Sequence, residues 1–297
     1  MMKRVIYISI FVSIFGLALS TESILNALIT SIFAGYDPSV RPICRGYEQV
    51  NVSLDLGLRE LIDLNEPQQI IKLKLWIRLL WTDCLLKWNP NDYHNVSNVV
   101  VPFKNIWTPD LTLFDSVSTE FWGLDKFRAI ISFDGTVQYN FPTVMEVQCQ
   151  VDVTKFPFDQ QTCPLQFGSW IYTGKQLDMN LQSDHADLSE LKQNVEWDVT
   201  GVPAVKHIKY YACCPDPYID LTYNLYLKRK PRYYKTNIIL PSMIITLLAA
   251  LGFILPVDSG EKVSLEVTVL LSLTVFQLLI ADKLPPSDEA RPWIGLY

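Results

Sequence analysis

Between Ile238 and Leu255 the chain carries no charged side chain, and beyond the turn Pro256-Val257-Asp258-Ser259-Gly260 a second apolar run extends from Val263 to Ala281. Each can cross a bilayer as a helix, which takes about 20 apolar residues. In hydrocarbon a chain segment must satisfy its own backbone, and a helix does so even with a proline such as Pro241 inside it. The two runs therefore divide the chain into a long polar part before them and a short one after. The cluster Lys228, Arg229, Lys230, Arg232 and Lys235 marks the boundary.

The first part reads as β-structure. Val50, Val52, Leu54, Leu56 and Leu58 alternate, as do Ile71, Leu73, Leu75, Ile77 and Leu79, giving the two-residue period of strands with one buried face. Short strands of this kind continue to about Leu227, separated by Asn89-Pro90, Asp134-Gly135, Phe141-Pro142 and Pro215-Asp216-Pro217. The pattern predicts a sandwich of antiparallel sheets, preceded by a short amphipathic helix from Ser23 to Phe33 that Gly35-Tyr36-Asp37-Pro38 ends. Residues 1–20 combine Lys3 and Arg4, an apolar stretch from Val5 to Leu17 and the small-residue ending Ala18-Leu19-Ser20, the pattern of a secretory signal peptide; a membrane anchor is the alternative. Export agrees with the Asn-x-Ser sequons at Asn51 and Asn95, which are candidate glycosylation sites. Basic residues before the first membrane run oppose the usual cytoplasmic excess, but a long exported domain translocates largely regardless of charge. The sandwich is expected outside the cell.

On the second run Glu261, Ser264, Thr268, Leu271, Val275, Leu278 and Asp282 are spaced alternately by three and four residues and share one helical stripe. Acids close both ends, with hydroxyls and then bulky apolar groups between. A cation path has use for that order, since acidic rings attract ions, hydroxyls replace hydration water and apolar constrictions close by dewetting. A plain anchor with acidic ends is the competing reading, and a pore needs several copies around an axis. Glu266 lies about 200° round the helix from Ser264, off the stripe.

The segment Cys149-Gln-Val-Asp152-Val-Thr-Lys-Phe156-Pro157-Phe158-Asp159-Gln-Gln161-Thr-Cys163 closely resembles the signature of the Cys-loop receptor superfamily. Trp81-x-Asp83-x-x-Leu86-x-Trp88, Trp107-x-Pro109-Asp110 and Asp258-Ser259-Gly260-Glu261-Lys262 followed by Leu270-Leu271-Ser272-Leu273-Thr274-Val275-Phe276 carry the same resemblance, which covers nearly all of residues 22–297. The adjacent pair Cys213-Cys214, in the pattern Tyr211-x-Cys-Cys-x-x-x-Tyr218, is similar to the agonist-binding face of alpha-type nicotinic acetylcholine receptor subunits. Six cysteines allow 15 pairings. The resemblance implies Cys149–Cys163 and Cys213–Cys214, the alternative joins Cys213 and Cys214 to Cys44 or Cys84, and the resemblance assigns no partner to the latter two.

Together the pattern and the resemblance lead to the expectation of a signal peptide at 1–20, read from its residues alone, a ligand-binding β-sandwich at 21–232, membrane helices at 233–255 and 263–282 joined by a cytoplasmic turn at 256–262, and an extracellular segment at 283–297 leading towards a third helix. It implies an acetylcholine-like agonist held in an aromatic cage, because aromatic faces attract quaternary ammonium. The principal face would use Phe114, Trp170, Tyr172, Tyr211, Cys213, Cys214 and Tyr218, and a neighbouring copy would add Trp76 and Asn140 from its complementary face. Phe114 stands where the family usually has Tyr. Five copies of Glu261 would favour cations, and Phe156, Pro157 and Phe158 would reach the outer end of the pore helix near Pro285 and Pro286 to couple binding to gating. The expected partners are homologous subunits in a pentamer, the lipid membrane and permeant cations, in a postsynaptic plasma membrane; a non-conducting truncated subunit is the alternative. No cofactor or metal is implied. Enzyme chemistry has little support, since His94, His185 and His207 lack metal-pair spacing and there is neither a phosphate loop nor a Cys-x-x-Cys pair. The net charge of −6 argues against nucleic acid as a partner.

Overall fold

The structure is a computed structural model that describes residues 24–44, 46, 48–117, 126–254, 256 and 260–282. The signal-peptide reading of residues 1–20, the segment 283–297 and the coupling residues Pro285 and Pro286 lie outside the described residues. A helix, α1, spans 24–32 and buries Leu28 and Ile32 against the sandwich.

Alternation decides the sheets. On β1 (Val50–Asn65) Val50, Val52, Leu54, Leu56 and Leu58 are buried; on β2 (Ile70–Thr82) Ile71, Leu73, Leu75, Ile77, Leu79 and Trp81 are. These strands pair antiparallel at the centre of a six-stranded sheet with β3 (Asn98–Pro102), β5 (Arg128–Ser132), β6 (Thr136–Gln148) and β8 (Leu177–Leu181), in the order β3-β5-β6-β2-β1-β8. The second sheet runs β10 (Ala204–Lys209), β11 (Tyr218–Arg229), β7 (Gln160–Ser169), β4 (Leu111–Leu113), with β9 (Trp197–Gly201) also pairing with β11. The apolar faces of the sheets form one core. Gly135, in the turn between β5 and β6, has φ of +84°, and a Cβ there would come within 2.3 Å of the Asp83 carbonyl, so only glycine fits.

Three disulfides staple this core. Cys149–Cys163 joins the residue after β6 to β7 and so links the two sheets, Cys213–Cys214 closes a ring in the β10–β11 loop, and Cys44–Cys84, unassigned by sequence, ties the segment after α1 to the one after β2. Inside the Cys149–Cys163 loop the Gln161 side chain donates to the Asp152 carbonyl at 2.8 Å and to Asp159 at 2.6 Å, and accepts from the Asp152 N–H at 2.9 Å.

Two helices follow, α2 (Arg232–Gly252) and α3 (Lys262–Ala281), each long and apolar enough to cross a membrane. α2 starts within the basic cluster one residue before the expected start at 233, and a π-helical turn, Lys235–Ile239, precedes Pro241. Most of their large side chains, such as Leu247, Leu251, Val263 and Leu271, are exposed, as lipid or neighbouring helices require.

The junction between sandwich and helices is built on Arg229, whose side chain is fully enclosed. It pairs with Asp159 at 2.9 Å, with Glu66 at 2.7 Å and with Glu196, and its guanidinium lies 4.1 Å from the Trp197 ring, 5.0 Å from Phe156 and 5.4 Å from Tyr234. Burial works against its charge, yet Asp159 and Glu66 hold it more firmly protonated than an ordinary arginine. Burial also pushes the Glu66 carboxyl up, against the pull of Arg229. Replacing Arg229 by Gln would leave three carboxylates facing one another around a site without its cation. The expected loss is about 3–5 kcal/mol, read as a lower thermal midpoint of the full chain in detergent. A loss below about 1 kcal/mol, no more than an exposed ion pair contributes, would remove Arg229 as the anchor.

Candidate functional site

Asp110 organises one wall of a cavity. Its carboxylate accepts from Ser169 Oγ at 2.6 Å, from the Trp170 N–H at 2.9 Å and from the Ile171 N–H at 2.8 Å, and Ser169 Oγ in turn accepts from the Tyr172 N–H at 2.8 Å. The turn after β7 is thereby fixed with the Trp170 side chain outward, and that residue is 72% exposed. Beside it Phe114 follows β4, its ring 6.2 Å from that of Trp170. Phe114 rests on Gly168, where a Cβ would come within 2.6 Å of the ring, so the backbone must approach bare.

The β10–β11 hairpin supplies the facing wall. Tyr211 and Tyr218 meet edge to face at 5.8 Å, and the Cys213–Cys214 ring sits in the loop between them. The loop is held at its base, where Lys175 pairs with Asp216 at 2.6 Å and the Gly174 N–H donates to the Pro217 carbonyl at 2.6 Å. The result is a cavity of about 480 Å³ whose lining includes Phe114, Trp170, Tyr211, Cys213 and Tyr218 together with Lys209 and Asp220. Asp220 is buried and pairs with Lys209 at 2.9 Å; Thr222 donates to it at 2.9 Å, and His207 Nδ1 lies 3.0 Å away. Burial alone would raise its carboxyl, but Lys209, His207 and Thr222 outweigh burial and hold it below the ordinary value. The cavity presents aromatic faces beside a cation that is already neutralised, an arrangement suited to an ammonium ligand.

Of the residues read from sequence, five converge on this cavity. Tyr172 does not line it: its hydroxyl lies 3.4 Å from Trp107 Nε1 and its ring packs edge-on against Trp107 at 6.1 Å. Cys214 closes the disulfide ring without lining the cavity. Trp76 and Asn140 occupy the outward face of the other sheet, on β2 and β6, whose pairing places Pro142 opposite Trp76 and Asn140 opposite Arg78. Asn51 and Asn95 are both exposed. Sequence reasoning missed Lys209 and gave no role to Asp110 or Asp220. A signal existed in Ile219-Asp220-Leu221, where one acid interrupts an apolar strand.

On α3 the whole stripe of Glu261, Ser264, Thr268, Leu271, Val275, Leu278 and Asp282 is exposed. Thr268 bonds its hydroxyl to the Ser264 carbonyl at 2.8 Å, so it needs no outside partner. Glu266 faces α2 instead, its Oε1 against Gly252. Phe158 meets the start of α2 through Lys235, whose Nζ lies 5.0 Å from its ring, and Phe156 packs on Tyr234 at 4.9 Å.

The profile of the neurotransmitter-gated ion-channel ligand binding domain matches residues 25–231, and that of the neurotransmitter-gated ion-channel transmembrane region matches residues 238–297. The chain belongs to the neurotransmitter-gated ion-channel family. It is a family of channels rather than enzymes. The chain is 43% identical over 270 residues to the neuronal acetylcholine receptor subunit alpha-9-II of Oncorhynchus mykiss, covering 91% of this chain and 49% of that protein. It is equally identical to the alpha-10 subunit of Homo sapiens, of which it covers 60%, and 40% identical to the acetylcholine receptor subunit alpha-like of Manduca sexta, of which it covers 54%. The chain thus spans about half the length of the curated relatives it matches.

Two outcomes follow from this geometry. Asp110→Ala removes the acceptor for three donors and should destabilise the chain by about 2 kcal/mol or more, with Asp110→Asn recovering part of the loss in a thermal unfolding series. The Asp220 carboxyl, held below its ordinary value of 3.8, contributes stability that is present above that pH and is lost as the pH falls through its folded-state value. Asp220→Asn should therefore flatten the acid limb of stability against pH; an unchanged limb would show that the carboxylate is not held by these partners.

Proposed function

We propose that this chain is a subunit of a pentameric, acetylcholine-type neurotransmitter-gated cation channel of the plasma membrane, with its β-sandwich outside the cell. The cavity of Phe114, Trp170, Tyr211 and Tyr218 beside Cys213–Cys214 carries this reading, because it gathers four aromatic rings that come from three separate stretches of sequence. A quaternary ammonium or amine group would sit against the exposed Trp170 indole, where the ring quadrupole attracts a cation at little cost in hydration. Phe114 keeps a π face but offers no hydroxyl, so the agonist would gain no hydrogen bond at that position. Trp76 and Asn140, on the outward face of the other sheet, would meet the cavity of a neighbouring subunit.

The pore reading rests on the α3 stripe, which is left free within the chain and is ordered from Glu261 through hydroxyls to Leu271, Val275 and Leu278. Around a fivefold axis the Glu261 carboxylates would fall within a Debye length of one another, about 8 Å at physiological salt, and would favour cations. Binding would reach the helices through the Phe156-Pro157-Phe158 loop, supported here by its contacts with Tyr234 and Lys235.

Trp170→Ala should abolish specific binding of radiolabelled acetylcholine to membranes that carry the chain. Trp170→Phe should weaken it by about 0.5–2 kcal/mol, since a smaller π face remains; equal, small losses would contradict an aromatic cage. In assemblies that conduct, Glu261→Gln should reduce cation preference in bi-ionic reversal potentials without changing acetylcholine affinity, and an unchanged preference would take Glu261 out of the selectivity path.

A further inference from the structure

Arg59 is the extra residue of a β-bulge. Pairing between β1 and β2 runs Leu58 with Leu75 and then Glu60 with Lys74, which leaves Arg59 without an opposite residue in the ladder. Arg59 keeps the outward parity of Asp55 and Gly57, and Gly57 lies directly opposite Trp76, so the side chain two residues on stands diagonally beside that ring. Its guanidinium lies over the Trp76 indole, 4.1 Å from the ring centroid, and Nη1 meets Glu190 at 3.0 Å. Arg78 stands 5.6 Å from the same ring and is fixed by Asp55 at 2.6 Å and Asp187 at 2.8 Å.

The segment that carries Glu190 is pinned along β1. The Asp187 N–H donates to the Leu56 carbonyl at 2.8 Å, the Leu58 N–H to the Asp187 carbonyl at 3.0 Å and the Lys192 N–H to the Arg59 carbonyl at 2.9 Å. Arg59 therefore holds its place over the indole through its diagonal position beside Trp76 and the ion pair with Glu190. An ammonium ligand approaching Trp76 would find its π face already covered by a guanidinium and would have to displace that group from both the ring and Glu190.

We propose that Arg59 is a built-in occupant of Trp76 that withholds this ring from cationic ligands, so that the chain offers its aromatic cavity to a neighbour of different sequence and is a poor complementary face for its own copies. Arg59 is thus a specificity-determining residue for subunit pairing at the agonist site, an inference that rests on the reading of Trp76 as the ring facing a neighbour's cavity.

The test uses membranes from cells expressing the full chain alone, titrated with radiolabelled acetylcholine. Arg59→Ser should tighten binding about tenfold by uncovering the indole. Glu190→Gln, which loosens the guanidinium and leaves it present, should give a smaller gain, and Arg59→Lys, which keeps a cation over the ring, less than about a twofold gain. The Arg59→Ser gain should vanish in a Trp76→Ala background. Should Arg59→Ser fail to reach the surface, Arg59→Gln carries the same expectation. Unchanged affinity on removing Arg59, a gain that persists without Trp76, or no saturable binding with or without Arg59 would each overturn the proposal. Trp170→Ala separates this from the cavity reading: if it abolishes binding while Arg59→Ser does nothing, only the Arg59 proposal fails, whereas binding indifferent to Trp170→Ala sinks the cavity itself.

Discussion

A single buried guanidinium holds the two halves of this molecule together. Arg229 ends β11, and its partners come from the β1–β2 turn through Glu66, the disulfide loop through Asp159 and Phe156, the approach to β9 through Glu196 and Trp197, and the first turn of α2 through Tyr234. Lysine could not replace it. A planar fork presents several donors in fixed directions while its faces stack on aromatic rings, whereas an ammonium is a strongly hydrated point charge. Desolvating so many charges adds little net stability, and its value lies in geometry, since one orientation satisfies every partner. The membrane helices therefore leave the sandwich in a defined direction.

The cavity and this junction sit at opposite ends of the same two strands. β11 begins at Tyr218 in the cavity and ends at Arg229, while β7 begins next to Asp159 and ends next to Trp170. They pair antiparallel in unbroken register from Asp220 with Gly168 to Lys228 with Gln160. Twelve residues of strand cover about 40 Å at 3.3–3.4 Å each, so the ladder spans the distance from the cavity wall to the start of α2. Cys149–Cys163 fastens that ladder to the other sheet. Such continuity would give the proposed agonist site a mechanical route to α2; any coupling free energy would be a separate quantity, set by how differently a ligand binds each state.

Much of this was legible in the sequence because the relevant signals are local. Alternation marked the buried faces of β1 and β2, a run without charge marked the apolar body of α2 but not its start in the basic cluster, and three-four spacing marked the exposed α3 stripe. What escaped depends on pairing across distance. Asp110 and Asp220 each read as one acid among many until the turn at Trp170 and the end of Lys209 are brought beside them. Cys44 and Cys84 stand 40 residues apart and carry no local mark of their union. Tyr172 lies two residues from Trp170 and shares its turn, yet Ser169 and Trp107 draw it inward, which no periodicity encodes.

Glu266 shows the same limit inside the membrane region. Helical geometry places it off the exposed stripe of Ser264, Thr268 and Leu271, and in the structure α3 turns the Glu266 side to α2, where Gly252 leaves a recess opposite the carboxyl. A Cβ at position 252 would come within 1.9 Å of Glu266 Oε1, so the glycine and the glutamate are a matched pair rather than two separate features. Close backbone approach at small residues is the general means by which membrane helices associate, since hydrocarbon supplies no hydrophobic drive between them. Glu266 Oε1 is buried at that recess without a hydrogen-bond partner among the described residues, so the contact is a fit of shape rather than a polar bond. With Glu266 turned to α2, the other side of α3 presents Ser264, Thr268 and Leu271 outward.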